Sequence, residues 1–307
     1  MSERDPEVLP FFEGRERFLE LVAEVRPELH RYCARMLGSV ADAEDVVQDT
    51  LARAFYALAG LERMPPLRPW LFRIAHNGAI DQLRRYEHRM ADPLQVAGEL
   101  GTDEPSPEEA LASAQANALA ISRFSELAPQ QRSAVILKDV LGHSVEEIAA
   151  LLELGVPAVK AALHRGRKRL AELSLEAPLA RAPRHASPAL ARFVELFNAR
   201  DWDALRKLLV ADVELDVVSR AQRRGQRVSD YFSNYAALSG WHLRPGFVDG
   251  REAILACRSA SDPAPSYFIE LSLDRGHVRF IRDFFFVPYI LVDAEVESVD
   301  VGAVQSR

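Results

Sequence analysis

The chain has little cysteine. Its 307 residues hold two, Cys33 and Cys257, far apart and with no CxxC spacing or histidine companion. Neither a disulfide framework nor a zinc site is indicated, and both read as core thiols. No apolar run approaches the roughly 18 residues of a membrane span. The first ten residues, MSERDPEVLP, are acidic and lack the apolar stretch of a signal peptide. The expectation is a cytoplasmic chain with no membrane contact. There is also no Gly-rich phosphate loop, no metal-ligand cluster and no recognisable triad, so no cofactor, metal or catalytic residue is expected. A net charge of −7 excludes a protein that coats nucleic acid indiscriminately but leaves local basic surfaces open. What is present, 48% hydrophobic and 27% charged residues, is ordinary for a folded chain and excludes wholesale disorder or a fibre.

Acidic and basic residues separate into blocks. From Asp92 to Leu111 there are six acids and no Lys or Arg, with three prolines and two glycines interspersed, the composition of an extended linker. A second break, APLARAPRHASP, holds three prolines between two helical patterns. The expected division is a helical unit at 11–91, an acidic linker at 92–111, a second helical unit at 112–175, a proline-bearing linker at 176–186, an α+β unit at 187–295 and a tail at 296–307.

In the first unit Leu19, Val22, Val25, Leu29, Tyr32, Cys33 and Met36 recur at helical spacing until Gly38 stops the helix. Ser39 to Asp42 is a capping-box-like start for the next helix. On it Val46, Val47, Leu51, Ala54, Phe55 and Leu58 form the expected buried stripe, leaving Asp42, Asp45 and Asp49 on a shared solvated face. After the prolines of RMPPLRP comes WLFRIAHNGAIDQLRRYEHR, with Arg73, Asn77, Asp81 and Arg84 along one side. Five arginines face two acids between Leu67 and Met90. Basic and amide side chains, accompanied by Trp70 and Tyr86, suit phosphate contacts and stacking on unpaired bases.

The second unit reads as a helix-turn-helix. Leu127 to Pro129 opens a helix that Gly142 ends, and Ser144 to Glu147 is a capping box for the next. The turn ELGV then precedes PAVKAALHRGRKRL, which carries Lys160, Arg165, Arg167, Lys168 and Arg169 with no acid before Glu172. Val159, Leu163 and Leu170 form its expected core side, with Lys160, Ala161, His164 and Lys168 opposite. The pattern is that of a duplex-reading motif.

These motifs resemble the extracytoplasmic-function group of sigma-70-type RNA polymerase sigma factors. Family region two is matched by DAEDVVQDTLARAF followed by RPWLFRIAHNGAIDQLRR, and region four by LAPQQRSAVILKDVLGHSVEEIAALLELGVPAVKAALHRGRKRL. The resemblance implies an alternative sigma factor that recruits core RNA polymerase to promoter DNA. Asp42, Asp45, Gln48 and Asp49 would dock on the polymerase clamp helices. Arg63, Arg68, Trp70, Arg73, Asn77, Asp81, Arg84 and Arg85 would open and hold the −10 element. Lys160, Ala161, His164, Arg165 and Lys168 would read the −35 element. Glu153 stands where the family's turn usually has Gly, which predicts strain if that residue takes φ > 0.

The third unit changes from helix to mixed α+β. SPALARFVELFNARD, WDALRKLLV and VSDYFSNYAAL read as helices, and VELDVV, HLRPGFV, EAILACR, SYFIELSLD and HVRFIRDFFFV as strands, with a hairpin turn at Asp274 to His277. Helices followed by a curled antiparallel sheet look like the SnoaL-like, ketosteroid-isomerase-like cone. Regular alternation puts Ile281, Asp283 and Phe285 on one strand face, a carboxylate among apolar residues with a raised pKa. Asp216, Tyr231 and Trp241 are the other candidate pocket residues, with His242 beside them. Pairing of Asp283 with an arginine such as Arg251, or its solvation through a bulge, is the alternative. The unit is expected to modulate the sigma domains by intramolecular contact, under a small-molecule ligand or an anti-sigma protein. Two other function classes remain open: a SnoaL-like cyclase or isomerase fused to a DNA-binding segment, and a ligand-sensing helix-turn-helix regulator.

Overall fold

The computed structural model describes residues 9–58, 60, 65–91, 123–175, 184–228, 231–233, 235 and 240–299. Arg63, the acidic linker at 92–111, residues 112–122, most of the second linker and residues 300–307 lie outside them. The chain divides into two compact units: of the described residues, one joins those up to Tyr86 with 123–175, and the other joins 87–91, the end of the third helix, with those from 184 on.

The first unit is helical: α1 (Leu9–Leu37), α2 (Val40–Leu58), α3 (Leu67–Ala91), a 3-10 turn (Arg123–Glu126), α4 (Pro129–Val135), α5 (Val145–Leu152) and α6 (Val156–Leu175). Gly38, at φ 73°, closes α1, and Ser39 Oγ accepts from the Asp42 N–H at 3.2 Å to start α2. The stripe expected on α2 is buried at Val46, Val47 and Ala54 and half-buried at Leu51, Phe55 and Leu58. α4 does not end as an α-helix. Its last turn, Ile136–Val140, is π-helical, which the apolar spacing did not reveal. Gly166 on α6 is there for packing, since a Cβ would stand 2.7 Å from Val135 Cγ2 on α4. Leu170, expected in the core, is half-buried, and Ala162 and Leu173 complete the buried side with Val159 and Leu163.

The two helical segments were expected as separate units, yet their described parts fold as one. The reason is a buried seam between α1 and α4. Arg132, 5% exposed, sends its guanidinium to the Met36 and Leu127 carbonyls, and Tyr32 OH meets Ser133 Oγ at 2.6 Å.

The second unit opens with α7 (Pro188–Asn198) and α8 (Trp202–Lys207), capped by Ser187 and Asp201. Its sheet comprises β1 (Leu209–Val217), β2 (Ala221–Arg224), β3 (His242–Val248), β4 (Arg251–Cys257), β5 (Tyr267–Asp274), β6 (His277–Asp283) and β7 (Val296–Ser298), in the order β2-β1-β6-β5-β4-β3-β7. The predicted hairpin joins β5 to β6, with Arg275 and Gly276 at φ 48° and 77°. The sheet is mixed rather than wholly antiparallel, because β1 and β6 run in parallel, Leu215 beside Ile281 and Val217 beside Asp283. The meander β3 to β6 returns along β1 in β1's own direction. Strand β6 ends at Asp283 instead of continuing through Val287, since the Asp283 carboxylate accepts the Phe285 N–H at 2.8 Å and turns the chain. The sheet extends past residue 295: β7 pairs with β3, and Gly246 permits this, as a Cβ there would stand 2.5 Å from the Glu297 carbonyl. Phe193, Phe197, Leu205, Phe232, Ile254 and Ile281 anchor the core. Cys33 and Cys257 are buried thiols, one in each unit.

Candidate nucleic-acid interface

On α2 the expected acidic face divides. Asp45 and Asp49 are exposed, Asp49 pairing with Arg53 one turn on at 2.7 Å. Asp42 is not solvated. It is 8% exposed and accepts the Tyr86 phenol from α3, 44 residues away. Tyr86, expected to be available for stacking, is thereby tied down. Gln48 is half-buried and donates to Glu44, itself buried and paired with Arg26.

The α3 residues sort into two sets. Asn77, Asp81, Arg84 and Arg85 are exposed, with Arg84 3.7 Å from Asp81. Arg68 and Arg73 instead engage the rest of the unit: Arg68 bonds Glu28 on α1, and Arg73 Nη1 donates to Glu153 in the helix-turn-helix turn at 2.8 Å. Trp70 is half-buried.

The helix-turn-helix forms as expected. Ser144 and Glu147 make both bonds of the capping box, at 3.1 and 2.7 Å, and Glu153 sits left-handed at φ 54°, ψ 42°. Lys160, His164, Arg165 and Lys168 are exposed on α6, and Ala161 is half-buried. A groove of about 470 Å³ beside that helix is lined by Lys138, Lys160, His164, Arg167 and Lys168 over Val145 and Leu163. Four cations and a histidine around a shallow apolar floor suit a phosphate backbone with base edges beyond it. Two of these residues lay outside the sequence assignment. Lys138 comes from the π-helical turn, and Arg167 forks onto Asp139 through Nε (2.9 Å) and Nη2 (2.5 Å). The many arginines of α6 gave no sign of which one is clamped.

Between the two halves of this unit lies a buried polar seam. Tyr32 OH is 2.7 Å from His76 Nδ1 as well as 2.6 Å from Ser133 Oγ, and His143 packs edge-on against Phe72 at 5.5 Å. Burial lowers the His76 pKa from its ordinary 6.5, favouring the neutral ring.

In the second unit Asp283 is 1% exposed, and its Oδ2 accepts both Tyr231 OH and Tyr235 OH at 2.8 Å. Burial raises its pKa from 3.8 to about 6 against the pull of those hydrogen bonds. It neither meets an arginine nor reaches solvent, as the alternative had it. Tyr231 joins Asp283 as expected. Trp241 reaches the cluster through Tyr267, edge-on at 5.0 Å, whose hydroxyl meets that of Tyr235, and through Phe285, edge-on at 5.8 Å, whose N–H bonds Asp283. Asp216 belongs elsewhere: it lies beside Arg282 at 3.6 Å on the other sheet face, within a separate groove of about 730 Å³. Tyr235 and Tyr267 do not stand out in the sequence; the phenol at i+4 from Tyr231 is the available signal.

The family model described as Sigma-70 region 2 matches residues 21–89, and that described as Sigma-70, region 4 matches residues 120–170. The chain is similar to the ECF RNA polymerase sigma factor SigG of Mycobacterium tuberculosis, 32% identical over 66% of this chain and 62% of SigG. It thus spans less than two thirds of that relative's length. The RNA polymerase sigma factor CarQ of Myxococcus xanthus is 33% identical over 55% of this chain and 96% of CarQ. The crystal structure of the extracytoplasmic function sigma factor SigJ of Mycobacterium tuberculosis aligns with 86% of this chain and 95% of its own, at 21% identity and a TM-score of 0.34. With both regions matched in order and CarQ covered almost end to end, the chain belongs to the RNA polymerase sigma factors, in the ECF group.

Proposed function

We propose that the chain is an alternative sigma factor acting in the cytoplasm: it binds core RNA polymerase, carries it to promoters and helps open them, with no catalysis of its own. The observation that supports this best is the pairing, in one compact unit, of a solvated acidic helix face at Asp45 and Asp49 with a cationic groove along α6. In this reading the α2 face docks on polymerase, Asn77, Arg84 and Arg85 on α3 hold the separated −10 strand, and Lys160, His164, Arg165 and Lys168 read the −35 duplex. Affinity for unpaired bases offsets the few kcal/mol that unstacking costs.

The same reading requires the unit to open. Elements centred at −10 and −35 lie roughly 85 Å apart along a duplex, whereas Arg73 on α3 touches Glu153 just before α6. Opening would free Arg68 and Arg73 for phosphate. The second unit, SnoaL-like in this proposal, would act by binding and modulate the sigma domains, because the Asp283 carboxylate is already occupied by two phenols and a backbone N–H. An anti-sigma protein or a small ligand would work through differential affinity for closed and open forms.

The test is co-purification with core polymerase followed by run-off transcription from genomic fragments. Asp45→Arg with Asp49→Arg reverses two exposed charges without touching the apolar side of α2. Folding should survive and docking fail; wild-type co-purification of this variant would overturn the assignment of the face.

A further inference from the structure

The exposed face of α2 carries more than charge. Tyr56, in the last turn of the helix, is 79% exposed, and among the described side chains of the first unit it is the one large apolar group left so open. Its ring has an edge-on contact with Phe55, centroids 6.2 Å apart. At about 100° per residue, Tyr56 projects between Asp45 and Asp49 when viewed down the axis, about 16 Å along it from Asp45. Exposed Ala52 lies on the same line and leaves the approach to the ring clear. The stripe therefore reads acid, acid, small residue, aromatic.

We infer that Tyr56 is the aromatic anchor of the polymerase-docking face, seating in an apolar slot on core polymerase whose basic rim meets Asp45 and Asp49. This rests on the reading of α2 as the docking helix and extends that face by two turns. Interfaces take most of their affinity from a few desolvated aromatic or arginine anchors, with charged rims setting approach and register. Asp45 and Asp49 are rim groups by exposure; the anchor such a face needs is supplied by Tyr56. The other partner an exposed aromatic could take is an unpaired DNA base. The two aspartates on the same line repel phosphates, and Arg53, the one cation on α2, is paired to Asp49, so the charge pattern fits a basic protein surface.

The experiment is equilibrium binding of the fluorescently labelled full chain to core polymerase at two salt concentrations. Because Tyr56 is exposed, Tyr56→Ala should leave the fold unchanged, with circular dichroism as the check. The expected result is an affinity loss of about 30-fold, nearly equal at low and high salt, with Tyr56→Phe within about threefold of wild type. Reversal of Asp45 and Asp49 should give a loss that shrinks as salt rises. Wild-type affinity for Tyr56→Ala alongside failure of the aspartate variant would overturn the anchor and leave the docking face standing. Wild-type affinity for both would overturn the docking face as well. Unchanged binding with permanganate reactivity of the −10 strand lost would assign the ring to a base instead.

Discussion

In the first unit Tyr32 bonds Ser133 and His76, residues 101 and 44 positions away, and so joins the two halves of the unit. In the second, Tyr231 and Tyr235 bond Asp283 inside a single aromatic core. Both clusters bury phenols, but one joins neutral groups across a seam and the other surrounds a carboxylate. Tyr32, Ser133 and His76 form a neutral set that costs little to bury, and Arg132 adds one buried guanidinium to the same seam. A carboxylate held in a core costs stability whenever it is ionised. At neutral pH burial therefore weighs on the Asp283 cluster and not on the Tyr32 set.

The largest effect should come from removing the seam's ring. Tyr32 is 1% exposed, and Tyr32→Ala is expected to cost about 3–5 kcal/mol, read by hydrogen exchange as lost protection on both α1 and α4 with the second unit unaffected. Protection lost on α1 alone would show that the halves are not coupled through Tyr32.

The next effect separates the clusters by sign. Asp283 holds its proton more tightly folded than unfolded, its pKa raised from 3.8 to about 6. Stability of the second unit should therefore rise as pH falls from above 6 toward 4, by about 3 kcal/mol in all. His76 is shifted the other way, below 6.5, so the first unit should weaken as pH falls through that value. Hydrogen exchange at pH 5 and 7.5 should show the units moving in opposite directions, with the second unit's response abolished in Asp283→Asn. Parallel responses would break the contrast.

Deleting single hydroxyls should cost about 1 kcal/mol each. Tyr235→Phe removes one of the bonds that pull Asp283 down and should move its transition to higher pH, whereas Tyr32→Phe should leave His76 still depressed, since burial is the cause. NMR titration of the two groups checks this. The smallest change is Glu153→Gly. It relieves a left-handed residue at φ 54°, worth under about 1 kcal/mol, and removes the Arg73 partner. Transcription should rise slightly while thermal stability hardly moves; a clear fall in transcription would mean that the turn's side chain is needed on the promoter.

What the sequence disclosed was local. Gly38 and Gly142, the Ser144 capping box, the left-handed Glu153 and the Asp274 to His277 hairpin follow from residues within a turn or two of one another, where backbone sterics and caps decide the outcome. What it withheld was distant pairing. Nothing near Asp42 announces Tyr86, nothing near Tyr32 announces Ser133, and alternation alone could not say that Asp216 would face Arg282 while Asp283 faced two phenols. Nor did the apolar spacing of β1 reveal that its partner, β6, would run in parallel with it. The candidate surfaces on α3 and α6 were legible because exposed charge is itself a sequence pattern; which of those arginines are already engaged was not.

The parallel pairing of β1 with β6 bears on the order in which the molecule is made. Leu209 must wait for Val278 and Val217 for Asp283, so the centre of the second sheet cannot close until the ribosome has added roughly a hundred residues beyond the first unit. At ordinary elongation rates that is a delay of about 5 to 20 s, while helices close in microseconds. During that interval the nascent chain carries finished sigma helices and an open sheet. Chains arrested on the ribosome near residue 270 should accordingly be cut by protease within β1 and spared within α2, and equal sparing of both would mean that β1 and its antiparallel neighbour β2 hold together without β6.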